Sequence, residues 1–102
     1  MHARVVFGQI RTQNETVVTQ LYRDFVVPAA KQQNGFKGII YLTDPQSGDT
    51  LSISLWETEA DMQAGENSDY YKEQTAKLAS FDATRPNRVA YRVKVLEVPA
   101  GQ

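Results

Sequence analysis

A chain of 102 residues, 41% hydrophobic and 23% charged, has room for one modest core and reads as a single globular domain over residues 1–102. Its net charge of −1 leaves no electrostatic footprint for nucleic acid or an acidic membrane. With no cysteine there is no disulfide, no thiolate nucleophile and no cysteine metal site.

No apolar run approaches the roughly 20 residues that span a bilayer. Met1–Arg11 lacks the apolar core and cleavage site of a secretion signal. A chain without disulfides suits the cytoplasm, which is the expected location.

The first element is a strand over Ala3–Thr12. Val5, Phe7 and Gln9 alternate with Val6, Gly8 and Ile10, and both faces carry apolar groups. Gly8 points to a bulge or a close approach by other backbone. Asn14 is expected to cap a helix whose apolar stripe runs through Val17, Val18, Leu21, Tyr22, Phe25 and Val26. Pro28 either kinks that helix or breaks it, with Ala29–Gln33 continuing as a second piece. Asn34-Gly35 ends it, and Gly35 is available for a left-handed residue.

Phe36–Asp44 and Thr50–Glu57 form an antiparallel hairpin around the turn-rich Asp44-Pro45-Gln46-Ser47-Gly48-Asp49. In the first strand Phe36, Gly38, Ile40 and Leu42 share a face. In the second, Leu51, Ile53 and Leu55 oppose Ser52, Ser54 and Trp56. Thr58 caps the next helix, with Asp61 placed to answer it. Gly65–Ser68 interrupts, and Ser68 caps a fresh helix carrying Tyr71, Thr75 and Leu78 on one face. Arg88–Val98 is the last strand, and Pro99–Gln102 reads as a loose tail.

This order of elements is βαββαβ, an α+β ferredoxin-like fold with a four-stranded antiparallel sheet and helices on one face. The sequence leaves open which face the helices cover. Either way the other face holds a sizeable apolar patch, and such patches mark interfaces. A homodimer with the two sheets face to face is the simplest solution, giving a dimeric α+β barrel.

Gly35-Phe36-Lys37-Gly38 and Ser54-Leu55-Trp56-Glu57-Thr58-Glu59-Ala60-Asp61-Met62 resemble the antibiotic biosynthesis monooxygenase family. Glu66-Asn67-Ser68-Asp69-Tyr70-Tyr71 resembles its second-helix segment. The resemblance implies a dimer with a small cavity between helices and sheet in each protomer. Its branches include cofactor-independent oxygenases of polycyclic aromatics, haem-degrading enzymes, and proteins that process small aldehydes or signal molecules. The haem-degrading branch uses a His on the second helix, a nearby Trp and an Asn on the first strand. Here the single His is His2 and the first strand offers Gln9, so haem is not expected, nor is any other cofactor or metal.

Three aromatic residues are candidates for binding a flat substrate. Trp56 either walls a cavity or anchors helix to sheet, and burial is the commoner role of a large aromatic. Tyr41 and Tyr70 offer phenolic donors to a phenolate or quinone oxygen. Tyr22 and Tyr71 fall on apolar stripes and read as core. Arg11 and Arg92 read as solvated, and His2 as an edge or disordered residue. Glu57, Glu59 and Asp61 gather at a helix start, where capping explains them. No catalytic residue is identified from the sequence. Two readings stand: a cofactor-independent monooxygenase of a flat aromatic or quinone-like molecule, or a non-catalytic dimer that binds a small ligand or serves as structure.

Overall fold

Period-two alternation in four segments becomes one antiparallel sheet with strand order β2-β3-β1-β4 in a computed structural model that describes residues 1–100. The strands are β1 (His2–Gln9), β2 (Phe36–Thr43), β3 (Asp49–Trp56) and β4 (Asn87–Arg92). Helices α1 (Glu15–Leu21) and α2 (Val27–Ala30) lie between β1 and β2. Helices α3 (Glu59–Glu66) and α4 (Asp69–Ala79) lie between β3 and β4. This is the ferredoxin-like βαββαβ arrangement.

Register shows how the side chains are shared out between the two faces. One row across the sheet is Val89, Val5, Ile53 and Ile40, and the next is Asn87, Phe7, Leu51 and Leu42. These rows lie on the face away from the helices, where Phe7, Ile40, Leu42 and Tyr91 remain exposed. The opposite face carries Arg4, Ser54 and Ile39 in one row and Val6, Ser52 and Tyr41 in another. The helices cover this second, more polar face, which no amphipathic count of the strands singles out.

A bulge between Phe36 and Gly38 alters the face assignment at the start of β2. Phe36 pairs with Trp56 and packs edge-on against its ring at 5.6 Å, so it turns to the helix side and does not share a face with Ile40 and Leu42. Of the two readings of Gly8, a bulge or a close approach by backbone, the bulge is absent, because β1 pairs with β3 in unbroken register through it. A β-carbon there would meet Thr50 Oγ1 at 2.9 Å, so the glycine answers a close side-chain neighbour.

The first helical arm differs in detail from expectation. Residues Thr12–Asn14 form a 3₁₀ turn, and the Asn14 side chain makes no capping bond. Pro28 does not break the arm. Tyr22–Val26 widens into a π-helical turn just before α2, and Pro28 sits in the first turn of α2. A widened turn relieves the clash between a proline ring and the carbonyl four residues back, and it needs no N–H from the proline. Gly35 then takes the left-handed φ of 76°.

Thr58 Oγ1 accepts the Asp61 N–H at 3.0 Å, as its position predicts. The Asp61 carboxylate faces Gly35, where any β-carbon would collide with it. Ser68 makes no side-chain cap and donates to the Gly65 carbonyl at 2.6 Å.

The last strand is shorter than Arg88–Val98. Arg92 pairs with His2, the first residue of β1, and only the Val93 N–H reaches further, to the Met1 carbonyl. Beyond Val93 no ladder pairing is seen among the described residues. Val95, Leu96 and Val98 are 86%, 51% and 68% exposed.

Candidate functional site

The small hydroxyl side chains of β3 leave space under the helices. Thr50, Ser52 and Ser54 floor a cavity of about 110 Å³ between the sheet and the helical layer. Val6 and Gly8 of β1 and Ile39 and Tyr41 of β2 complete the floor. The roof is Val18 and Val26 from the first arm and Tyr70, Tyr71, Gln74 and Leu78 from α4. Gln74 ties the two roof halves together by donating to the Val26 carbonyl at 3.1 Å.

The polar groups divide between the ends of β1. Arg4 lines one end, and Asp82, which bridges to Ile10, lines the other. Six residues of strand separate the two positions by roughly 20 Å.

At the Asp82 end Tyr22 and Tyr41 stack with centroids 3.9 Å apart and planes within 12°. The π-helical turn begins at Tyr22, and such turns recur at functional sites. Burial pushes the Tyr22 phenol up in pKa, while Ser52 beside it works the other way. Burial, reinforced by Tyr22, raises Tyr41 well above the ordinary tyrosine range, so both rings stay neutral. Burial likewise raises the Asp82 carboxyl, which has no cationic partner among the described residues.

At the Arg4 end the guanidinium lies 4.4 Å from the Tyr71 ring centroid and 5.4 Å from that of Trp56. Arg4 is 4% exposed, and its Nη1 lies 3.5 Å from Glu66 Oε1. Burial raises the Tyr70 phenol, and the adjacent Arg4 and Gln74 pull it back.

Of the three aromatic candidates, Tyr41 and Tyr70 line the cavity and Trp56 does not. Trp56 is fully buried, donates from Nε1 to Ser54 Oγ at 2.9 Å, and packs on Gly65, where a β-carbon would lie 3.1 Å from its Cη2. Its ring reaches the site through Arg4 and Ser54. Tyr22 and Tyr71, which read as core from the sequence, both line the cavity. Arg4, Ser52 and Asp82 were not singled out either. An arginine within the apolar run Ala3–Ile10, in phase with Val6 and Gly8, is the signal that points to the first. His2 is no loose edge residue. It lies in β1 with Nε2 3.3 Å from Glu59 Oε2. Arg11 and Arg92 are exposed. Among the described residues no group of three or more His, Asp or Glu side chains could hold a metal ion, and no helix is long and apolar enough to cross a membrane.

The fold that frames this cavity is shared with a group of solved structures. A monooxygenase encoded by ActVA-Orf6 of Streptomyces coelicolor, solved with nanaomycin D, superposes with a TM-score of 0.81 at 16% identity, covering 97% of this chain and 92% of that one. The chain has the fold of the antibiotic biosynthesis monooxygenases. A mutant of SnoaB, a cofactor-independent oxygenase from Streptomyces nogalater, gives a TM-score of 0.72 at 10% identity over 93% and 94% of the two chains. The NE2512 protein of unknown function from Nitrosomonas europaea gives 0.78 at 20% identity over 98% and 95%. No family model matches the chain, and no curated protein matches it.

Proposed function

We propose that the protein is a cofactor-independent monooxygenase of the antibiotic biosynthesis monooxygenase family, acting as a homodimer on a flat aromatic or quinone-forming molecule. The observation that carries this reading is a cavity walled by tyrosine rings and floored by hydroxyls, in a fold that also serves two named oxygenases. An engineered apolar cavity of about 150 Å³ admits benzene. At about 110 Å³ this one is somewhat smaller, so a single-ring ligand requires the walls to give a little and a fused-ring ligand requires them to give more.

The reaction balances without an added reductant. A ring methylene or C–H activated by a phenol loses a proton, and the resulting carbanion delivers electrons to dioxygen. One oxygen atom becomes the new carbonyl, and the other leaves as water with the two substrate hydrogens. The protein's tasks are then to remove the proton, exclude water and hold the developing oxyanion. Asp82 is the carboxylate placed for the first task, since burial makes it a stronger base than a free carboxylate.

Oxygen uptake with a panel of hydroxylated aromatics tests the reading. Turnover that consumes one dioxygen per product supports it. Tight binding without uptake supports the non-catalytic ligand-binding dimer instead. Asp82→Asn is expected to lower kcat by about 10²–10⁴. Because burial raises the Asp82 pKa, wild-type kcat/KM should fall as pH drops through a value above the ordinary aspartate range. An acid limb that survives unchanged in the Asn variant would assign that proton transfer to another group.

A further inference from the structure

Arg4 is the only buried charged residue among those described. Burying a guanidinium costs several kcal/mol unless it is paired and hydrogen-bonded. Its compensation here is incomplete. Glu66 approaches to 3.5 Å, longer than the roughly 2.7–2.9 Å of a charge-assisted bond, and the Arg4 Nη1 carries no hydrogen bond. The Tyr71 and Trp56 rings hold the guanidinium without using its N–H donors. The same side chain forms part of the cavity wall, beside Tyr70.

We propose that Arg4 is the anion subsite of the cavity. It takes the ionised oxygen of an aromatic ligand, a phenolate or a carboxylate, with the Tyr70 hydroxyl as second donor. This deepens the reading of the cavity as an aromatic site and rests on it. The ligand class narrows from flat aromatics in general to acidic ones that enter as anions. Arg4 orients such a ligand by holding its charged oxygen at the Arg4 end of the cavity. Glu66 and the two rings hold the guanidinium in place while leaving its Nη1 without a hydrogen bond. A cation without this role would be replaceable by Val or Ile at an inward strand position.

The probe is 4-nitrophenol, whose phenolate absorbs visible light, titrated with pH on the full chain. The apparent pKa of the bound probe is expected to fall by about one unit or more from its value in water, a tenfold preference for phenolate. Arg4→Met should reverse the sign, because an apolar cavity disfavours the anion. The neutral analogue 4-nitroanisole should bind wild type and Arg4→Met within about twofold of each other, since it presents no charge to the guanidinium. Glu66→Gln removes the competing carboxylate and should lower the bound pKa further. A bound pKa at or above the free value in wild type overturns the proposal, as does an Arg4→Met profile matching wild type or no probe binding at all. Should Arg4→Met fail to fold by circular dichroism, Glu66→Gln decides: an unshifted bound pKa overturns the proposal. These titrations are read without turnover. A failed anion preference leaves oxygenation of neutral aromatics standing, and failed oxygen uptake leaves the anion subsite standing.

Discussion

Trp56→Ala is expected to reduce the free energy of unfolding by about 3–5 kcal/mol, the range for removing a large buried aromatic. Trp56 is 0% exposed and is in contact with three separate parts of the fold. Phe36 meets it edge-on, Gly65 of α3 lies under it, and Arg4 lies over its face. Gly65 presents no side chain that could extend into the void. The loss would be a large share of the 5–15 kcal/mol typical of a domain. Urea denaturation followed by circular dichroism measures it. Trp56→Phe keeps most of the volume and should lose less. Ser54→Ala leaves the indole N–H without its partner and should cost about 1–3 kcal/mol. A Trp56→Ala loss below about 1 kcal/mol would mean that the site collapses around the smaller side chain. The anchoring role read from sequence would then be withdrawn.

The architecture was legible because strands and turns announce themselves locally. The Asp44–Asp49 turn, the Thr58 cap and Gly35 are each set by chemistry within a few residues. What was not legible depends on partners distant in sequence. In β3 the hydroxyl row Thr50, Ser52 and Ser54 has the composition of a solvent face, yet it lies under the helices. The reason is that a cavity, unlike a core, does not require large apolar floor residues. The role of Arg4 is not legible in the sequence because it comes from Glu66, Tyr71 and Trp56, which only the folded register brings to it. The end of β4 was misplaced because alternation continues through Val93, Val95 and the residues beyond, whereas a strand stops where its neighbour does. The π-helical turn at Tyr22–Val26 leaves no mark in apolar spacing. Only Pro28 hinted that the arm would need to adjust.

The face left uncovered is the origin of the second large effect. In a monomeric two-layer domain the outer sheet face is the polar one. Here the polarity is inverted, with hydroxyls and Arg4 inside and the row Val89, Val5, Ile53 and Ile40 outside. Ile40 is 47% exposed and Leu42 46%, and the apolar segment beyond β4 extends the same character. A second copy of the chain is the proposed cover. In a two-fold dimer the same patch meets itself, so one substitution is felt twice. Ile40→Lys would then place two uncompensated charges in the interface, each costing roughly 3–5 kcal/mol. The dissociation constant should weaken by at least about 10⁴-fold. Light scattering at micromolar concentration should find a dimer for wild type and a monomer for Ile40→Lys. Gln46→Lys, in the exposed turn between β2 and β3, should stay dimeric. A wild-type monomer at that concentration would sink the sheet-to-sheet dimer, and an Ile40→Lys dimer would move the interface elsewhere. The two results also bear on the cavity. Pairing through the outer face leaves each cavity, on the opposite face, complete within its own protomer. A monomeric Ile40→Lys that still binds 4-nitrophenol with a lowered pKa is therefore the expected outcome.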